Sequence, residues 1–208
     1  MNKRMICLLF VISPASGSSQ LHGGIQQYYY TGNGSASFVP KLYFETPKSW
    51  FGELRYNYED SNTVSLNGGR KFIFTRWPVL SVSPFAGLVT GKFRGSNIGS
   101  NVNLEHKKWY VSLESQYSLS FDERSRNFFY NWSEAGYQFC KYAYGGIASQ
   151  LTSCFGKKAA WEPGLLIAPT FKNWTFPVYA FNPAGKDVHY VLGLNWEWPN
   201  EKQNVHLR

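Results

Sequence analysis

The chain has 208 residues, a formal net charge of +8 and an aromatic content of 18%, with eight Trp. That length accommodates a single all-β domain with a sizeable core. No stretch approaches the ~20 consecutive apolar residues of a membrane helix, so a helical anchor is excluded.

The N-terminus reads Met1, Asn2, Lys3, Arg4, then "MICLLFVI" (5–12), then small residues in "ASGSS" (15–19). A basic head, a short apolar run and a small-residue cleavage region make a secretory signal peptide over residues 1–19. Removing Lys3 and Arg4 lowers the charge from +8 to +6. An exported basic chain meets little nucleic acid, so nucleic-acid binding is not expected. Lipid and lipopolysaccharide phosphates are the expected anionic partners.

Turn residues then recur every ten to fifteen positions, with period-two alternation between them. Twelve strands are expected. The first six are Ile25–Tyr30, Phe38–Thr46, Trp50–Glu59, Thr63–Phe74, Leu80–Phe93 and Ser100–His106. The remainder are Trp109–Phe121, Asn127–Phe139, Tyr142–Ser153, Gly164–Phe171, Trp174–Asn182 and Val188–Trp198, with ten or eight strands as alternative counts. Short connections ("PKS", "KK", "CK", "KN") follow even-numbered strands. Longer ones ("TGNGSAS", "RGSNIG", "DERSR", "CFGKKAAWEP", "PAGKD") follow odd-numbered strands.

This parity, carried on strands of up to thirteen residues, resembles a Gram-negative outer-membrane β-barrel protein. The resemblance implies an all-β, antiparallel up-and-down transmembrane barrel over residues 20–198, with residues 199–208 as a periplasmic tail. It also implies passage through the barrel assembly machinery. In length and strand count the chain is similar to the small twelve-stranded outer-membrane channels for acidic oligosaccharides. That closer likeness implies an arginine-lined track, for which only Arg55, Arg70 and Arg76 are available.

Alternation assigns the faces. In "WYVSLESQYSLSF" (109–121) Trp109, Val111 and Leu113 fall on one face, and Ser112, Glu114 and Gln116 on the other. The same rule places Glu53, Arg55, Asn57, Asn67, Lys71, His189, Asn195 and Glu197 toward a polar lumen. Aromatics at strand ends (Trp50, Trp109, Phe121, Phe128, Tyr142, Trp174, Trp196 and Trp198) form an interfacial girdle. The strand "FFYNWSEAGYQF" (128–139) breaks the rule, because Phe128, Tyr130 and Trp132 share a face with Glu134. A bulge near Ser133–Ala135 would turn both apolar sets to lipid. Pro84, Pro169 and Pro177 each require a bulge or a neighbour too short to reach them.

Cys140 and Cys154 lie at opposite ends of the ninth strand, roughly 35–40 Å apart at ~3.3 Å per residue. A disulfide between them is therefore excluded. The four His show no metal-ligand spacing, and no cofactor motif is present. Asp187 and His189 make half of a hydrolase triad at most, and read as a loop-end ion pair. Arg94, Arg124, Arg126, Lys157, Lys158 and Lys186 lie on the loop side, either as solvated loop charges, the commoner case, or facing lipopolysaccharide phosphates.

The expected function is that of a non-enzymatic, porin-like outer-membrane protein: a narrow passive channel or a structural surface protein. A barrel-borne lipid hydrolase and a secreted, soluble carbohydrate-binding β domain are the alternatives. In the soluble case the apolar faces would turn inward.

Overall fold

A computed structural model describes residues 21–32 and 35–198. The expected signal peptide (1–19) and periplasmic tail (199–208) lie outside the described residues. In chain order the strands are β1 (His22–Gly32), β2 (Ser35–Glu45), β3 (Trp50–Tyr56), β4 (Thr63–Arg70), β5 (Phe72–Phe74), β6 (Val79–Gly91) and β7 (Gly95–His106). Then follow β8 (Trp109–Ser120), β9 (Phe128–Cys140), β10 (Ala143–Cys154), β11 (Ala160–Phe171), β12 (Trp174–Thr175), β13 (Val178–Phe181) and β14 (His189–Glu197). All pairings are antiparallel, and β1 pairs with β14 from Gly24↔Glu197 to Thr31↔Tyr190. The sheet is closed as a twelve-stranded barrel.

Two expected strands are broken. Lys71 separates β4 from β5, and both segments pair with β6. Phe176 and Pro177 separate β12 from β13, which lie between β11 and β14. The breaks accommodate the awkward prolines. Pro84 sits between the last β4 partner, Phe85, and the first β5 partner, Val82, so its missing N–H meets the gap at Arg70–Lys71. Pro169 borders the second gap, where its carbonyl accepts the Phe176 N–H at 2.9 Å.

Other expectations need correction. The third strand ends at Tyr56 rather than Glu59, because Asn57 takes a left-handed φ of 58°. "RGSNIG" is not a loop: β7 begins at Gly95, with Asn97 buried and Ile98 exposed. Alternation was hidden there by glycine. Gly99 leaves room for the Phe85 ring, which would stand 2.5 Å from a Cβ at that position. The irregularity in β9 lies at Phe139, where the register with β10 slips between Ala143 and Tyr144, and not at Ser133–Ala135.

The outer surface carries the belt a bilayer requires. Leu54, Leu66, Leu88, Ile98, Ile147, Leu165, Ile167 and Leu192 are exposed along the strands, and aromatics are exposed at their ends. Buried polar residues (Glu53, Arg55, Ser65, Asn67, Asn97, Gln116, Ser118) occupy the interior instead. A water-soluble barrel would reverse this distribution, so the secreted soluble reading is overturned. The outward polar residues of β9 satisfy one another: Asn131 donates to Ser115 at 2.9 Å, and Ser133 donates to Asn131 at 2.5 Å. Exposed apolar belt and closed barrel together make this a Gram-negative outer-membrane protein.

Candidate functional site

Inside the barrel, one half of the wall holds a charged network and the other an aromatic one. Arg55, on β3, is completely buried. It donates to Glu53 through both Nε and Nη2, and to Gln116 Oε1 at 2.9 Å; Glu114 Oε1 lies 3.1 Å from Nη2. Lys41 reaches Glu114 from β2 at 3.3 Å. Two carboxylates and an amide thus surround one guanidinium, which is how a buried charge avoids the cost of standing unpaired.

The 57–62 loop closes over this network. Asn57 clasps the loop: its Oδ1 accepts the Asn62 N–H at 2.6 Å, and its Nδ2 donates to the Phe38 carbonyl at 3.0 Å. Asn57 itself is therefore a loop clasp and not a lumen-lining strand residue, which corrects its assignment. Its neighbours point inward instead. Tyr58 donates to Glu114 at 2.5 Å, and Glu59 accepts from Asn97 at 2.7 Å and from Gln116 at 3.3 Å. Asp60 is held on the rim by Lys92 at 3.0 Å and Arg126 at 3.5 Å. Burial pushes its carboxyl pKa up, but hydrogen bonds from Lys92 and the Ser61 N–H outweigh that and hold it below the ordinary value.

Across the lumen, β9 carries Tyr130, Trp132 and Glu134 inward. Trp132 Nε1 and the Tyr179 hydroxyl each donate to Glu134 Oε1 at 2.7 Å, and Tyr110 donates to Oε2 at 3.2 Å. Gly136 makes this possible, since a Cβ there would stand 2.3 Å from the Tyr110 ring. Tyr28 and Phe181 pack on Trp132 with ring centroids 6.1 and 5.3 Å away. Phe128 shares this inward face, edge-on to buried Phe93 at 5.7 Å. It therefore does not belong to the girdle. The other girdle residues Trp50, Trp109, Phe121, Tyr142 and Trp174 are exposed, while Trp196 and Trp198 are half-buried against each other at 5.6 Å.

Between the two networks lies a cavity of about 410 Å³. Its lining runs from His22, Glu45, Lys71 and Glu197 at the short-turn rim to Tyr30 and Tyr130, near the loop ends of β1 and β9, and Tyr58 of the 57–62 loop. Lys71 pairs with Glu45 at 2.9 Å, and Asn195 faces the Tyr28 hydroxyl at 3.5 Å. Around the 57–62 loop the interior is packed with Asn67, Phe93, Asn97, Gln116, Ser118 and Phe181, all nearly inaccessible. The lumen is a vestibule open toward the short turns and filled toward the loops.

His189 stands among the loop-side residues, stacked on Phe181 at 5.2 Å, with Nδ1 3.8 Å from Glu162. The carboxylate beside the His189 ring is thus Glu162 of β11 and not Asp187, which is exposed. Cys140 and Cys154 are free thiols. On the loop rim Arg126 is committed to Asp60 and to the Lys92 carbonyl, and Arg94 lies 3.8 Å from Asp122. Lys157, Lys158 and Lys186 are exposed.

Lys41, Tyr58, Tyr110, Trp132, Glu134 and Tyr179 were not among the expected lumen residues. Glu134 carried the signal: a charge marks the lumen face, and the same parity brings Tyr130 and Trp132 with it.

No protein-family model and no curated protein matches the chain. Solved structures do. The chain is similar to the KdgM porin in complex with disordered oligogalacturonate (TM-score 0.63, 14% identity, 85% of this chain and 99% of that one). It is also similar to the NanC porin (TM-score 0.61, 11% identity, 86% of this chain and 100% of that one). At such identities the likeness concerns the fold, and the chain has the fold of a small outer-membrane porin.

Proposed function

We propose that the protein is a non-enzymatic passive channel of the outer membrane, shut on its loop side by the 57–62 loop and favouring small cations over acidic sugars. One observation carries the preference: Glu45, Glu53, Glu114, Glu134 and Glu197 line the vestibule, against Lys41 and Lys71. Rings of carboxylates attract cations and repel anions in a confined, weakly screened space. Arg70 and Arg76 are exposed, and Arg55 is enclosed by Glu53 and Glu114. Of the three arginines available for a track to acidic oligosaccharides, none therefore presents a free guanidinium to the vestibule. Exposed Lys157, Lys158 and Lys186 are the basic groups we assign to lipopolysaccharide phosphates.

The test is conductance of the refolded barrel in a planar bilayer under a KCl gradient. Wild type is expected to conduct weakly, with a cation-selective reversal potential, and Tyr58→Ala to conduct more. An anion-selective reversal potential would overturn the charge preference. Silence from both proteins would favour the second reading, a structural surface barrel, which the filled interior around Arg55 supports.

A further inference from the structure

We propose that Glu134 and the aromatic wall around it form a binding site for an organic cation of the ammonium class, reached from the short-turn end. Three neutral donors, Trp132, Tyr179 and Tyr110, hold the carboxylate in place without cancelling its charge. Glu45, Glu53 and Glu114 are matched by bases, Glu45 by Lys71, Glu53 by Arg55, and Glu114 by Arg55 and Lys41, while Glu197 is exposed to solvent at the short-turn rim. Among the described residues no Lys or Arg lies within ion-pair distance of Glu134. A carboxylate fixed in a cavity and lacking a counter-ion is a place for a cation supplied from outside.

The surroundings select the kind of cation. Tyr28, Trp132, Tyr144 and Tyr179 line the same cavity as Glu134. Trp132 meets Tyr179 edge-on at 4.9 Å, and Tyr144 meets Tyr110 edge-on at 5.3 Å, so ring faces and edges surround the carboxylate on more than one side. Aromatic faces attract ammonium groups through their quadrupoles and accommodate attached methyl or methylene groups as well. A hard divalent ion would need six or more oxygen ligands or retained waters, which one carboxylate among rings does not supply. The Asn195 Oδ1, buried without a hydrogen-bond partner and lining the same cavity, offers an acceptor for an ammonium N–H. The cavity volume of about 410 Å³ is ample for a small alkylammonium ion.

The site shares the vestibule with the channel reading and names its solute class, but it stands on binding alone. The experiment is therefore a titration of the folded barrel in a non-ionic maltoside detergent with tetramethylammonium chloride, followed by saturation-transfer NMR. tert-Butanol serves as the neutral analogue and NaCl as the salt control. Saturable tetramethylammonium binding is expected, with much weaker binding of tert-butanol. Glu134→Gln keeps an acceptor oxygen for Trp132 and Tyr179 and turns an amide N–H toward the Tyr110 hydroxyl, which can accept it; the variant is expected to weaken binding about tenfold, the loss of one short-range charge contact. Tyr28→Leu is expected to weaken it as well. Equal binding of tert-butanol, unchanged affinity in Glu134→Gln with the barrel still heat-modifiable on a gel, or no saturation with wild type would each overturn the site. Binding without conductance would overturn the channel reading and leave the site standing.

Discussion

The guanidinium of Arg55 lies 4.3 Å from the centroid of the Tyr58 ring. One residue belongs to the barrel wall and the other to the loop that closes it, so this cation–π contact ties the plug to the scaffold. Both residues also reach Glu114, at 3.1 Å and 2.5 Å. Tyr58 is thereby fixed by a ring face and a hydroxyl at once.

Removing Arg55 strands two carboxylates. Arg55→Ala is expected to destabilise the barrel by about 3–5 kcal/mol, since breaking a buried ion pair leaves uncompensated charge behind. Urea unfolding in lipid vesicles reads the change. Adding Glu53→Gln and Glu114→Gln to the Arg55 variant should recover part of the loss, and a triple variant no more stable than Arg55→Ala would contradict the network.

The belt makes a depth-dependent prediction. Leu165 lies at the middle of β11 and is exposed. Leu165→Arg is expected to cost about 2–4 kcal/mol of folding free energy in a bilayer, whereas a charge near the interface costs about 0–1 kcal/mol. Trp109→Arg, at the start of β8, supplies the interfacial case. Equal costs at the two positions would contradict the proposed bilayer depth.

Asp60 makes the loop clasp sensitive to acid. Its folded pKa is lowered, so the stabilisation it provides is fully present above the ordinary carboxylate value and is lost as pH falls through the lower folded value. Hydrogen exchange of the 57–62 amides should accelerate only in that acidic window beyond the intrinsic pH trend. Asp60→Asn should bring the same acceleration at neutral pH. Unchanged protection in the variant would remove Asp60 from the clasp.

The two thiols test topology. Cys140 is exposed at the short-turn end and Cys154 closes the loop end of β10. The mature protein should migrate identically with and without reductant. In intact cells an impermeant maleimide should leave Cys140 unlabelled until the outer membrane is permeabilised. Labelling of Cys140 in intact cells would invert the barrel.

Much of the architecture was legible in the chain. Period-two alternation, loop parity and terminal aromatics follow from local rules: a strand has two faces, a turn needs few residues, and indole prefers the membrane interface. Buried Arg55 and exposed Trp109 obey those rules directly. Tertiary structure decided where each strand breaks and what fills the interior. Lys71 and Phe176–Pro177 interrupt strands because neighbouring prolines cannot donate to a ladder, which depends on register between strands and not on either segment alone. Phe128, Tyr130 and Trp132 look lipid-facing by hydropathy, yet they line the lumen because Glu134 shares their parity and a narrow barrel fills its interior with rings as readily as with charges. Nor can local sequence place Tyr58, 56 residues from Glu114, on the same carboxylate as Arg55. Alternation is a one-strand property, while a vestibule, its plug and an unmatched carboxylate exist only once the sheet has closed on itself.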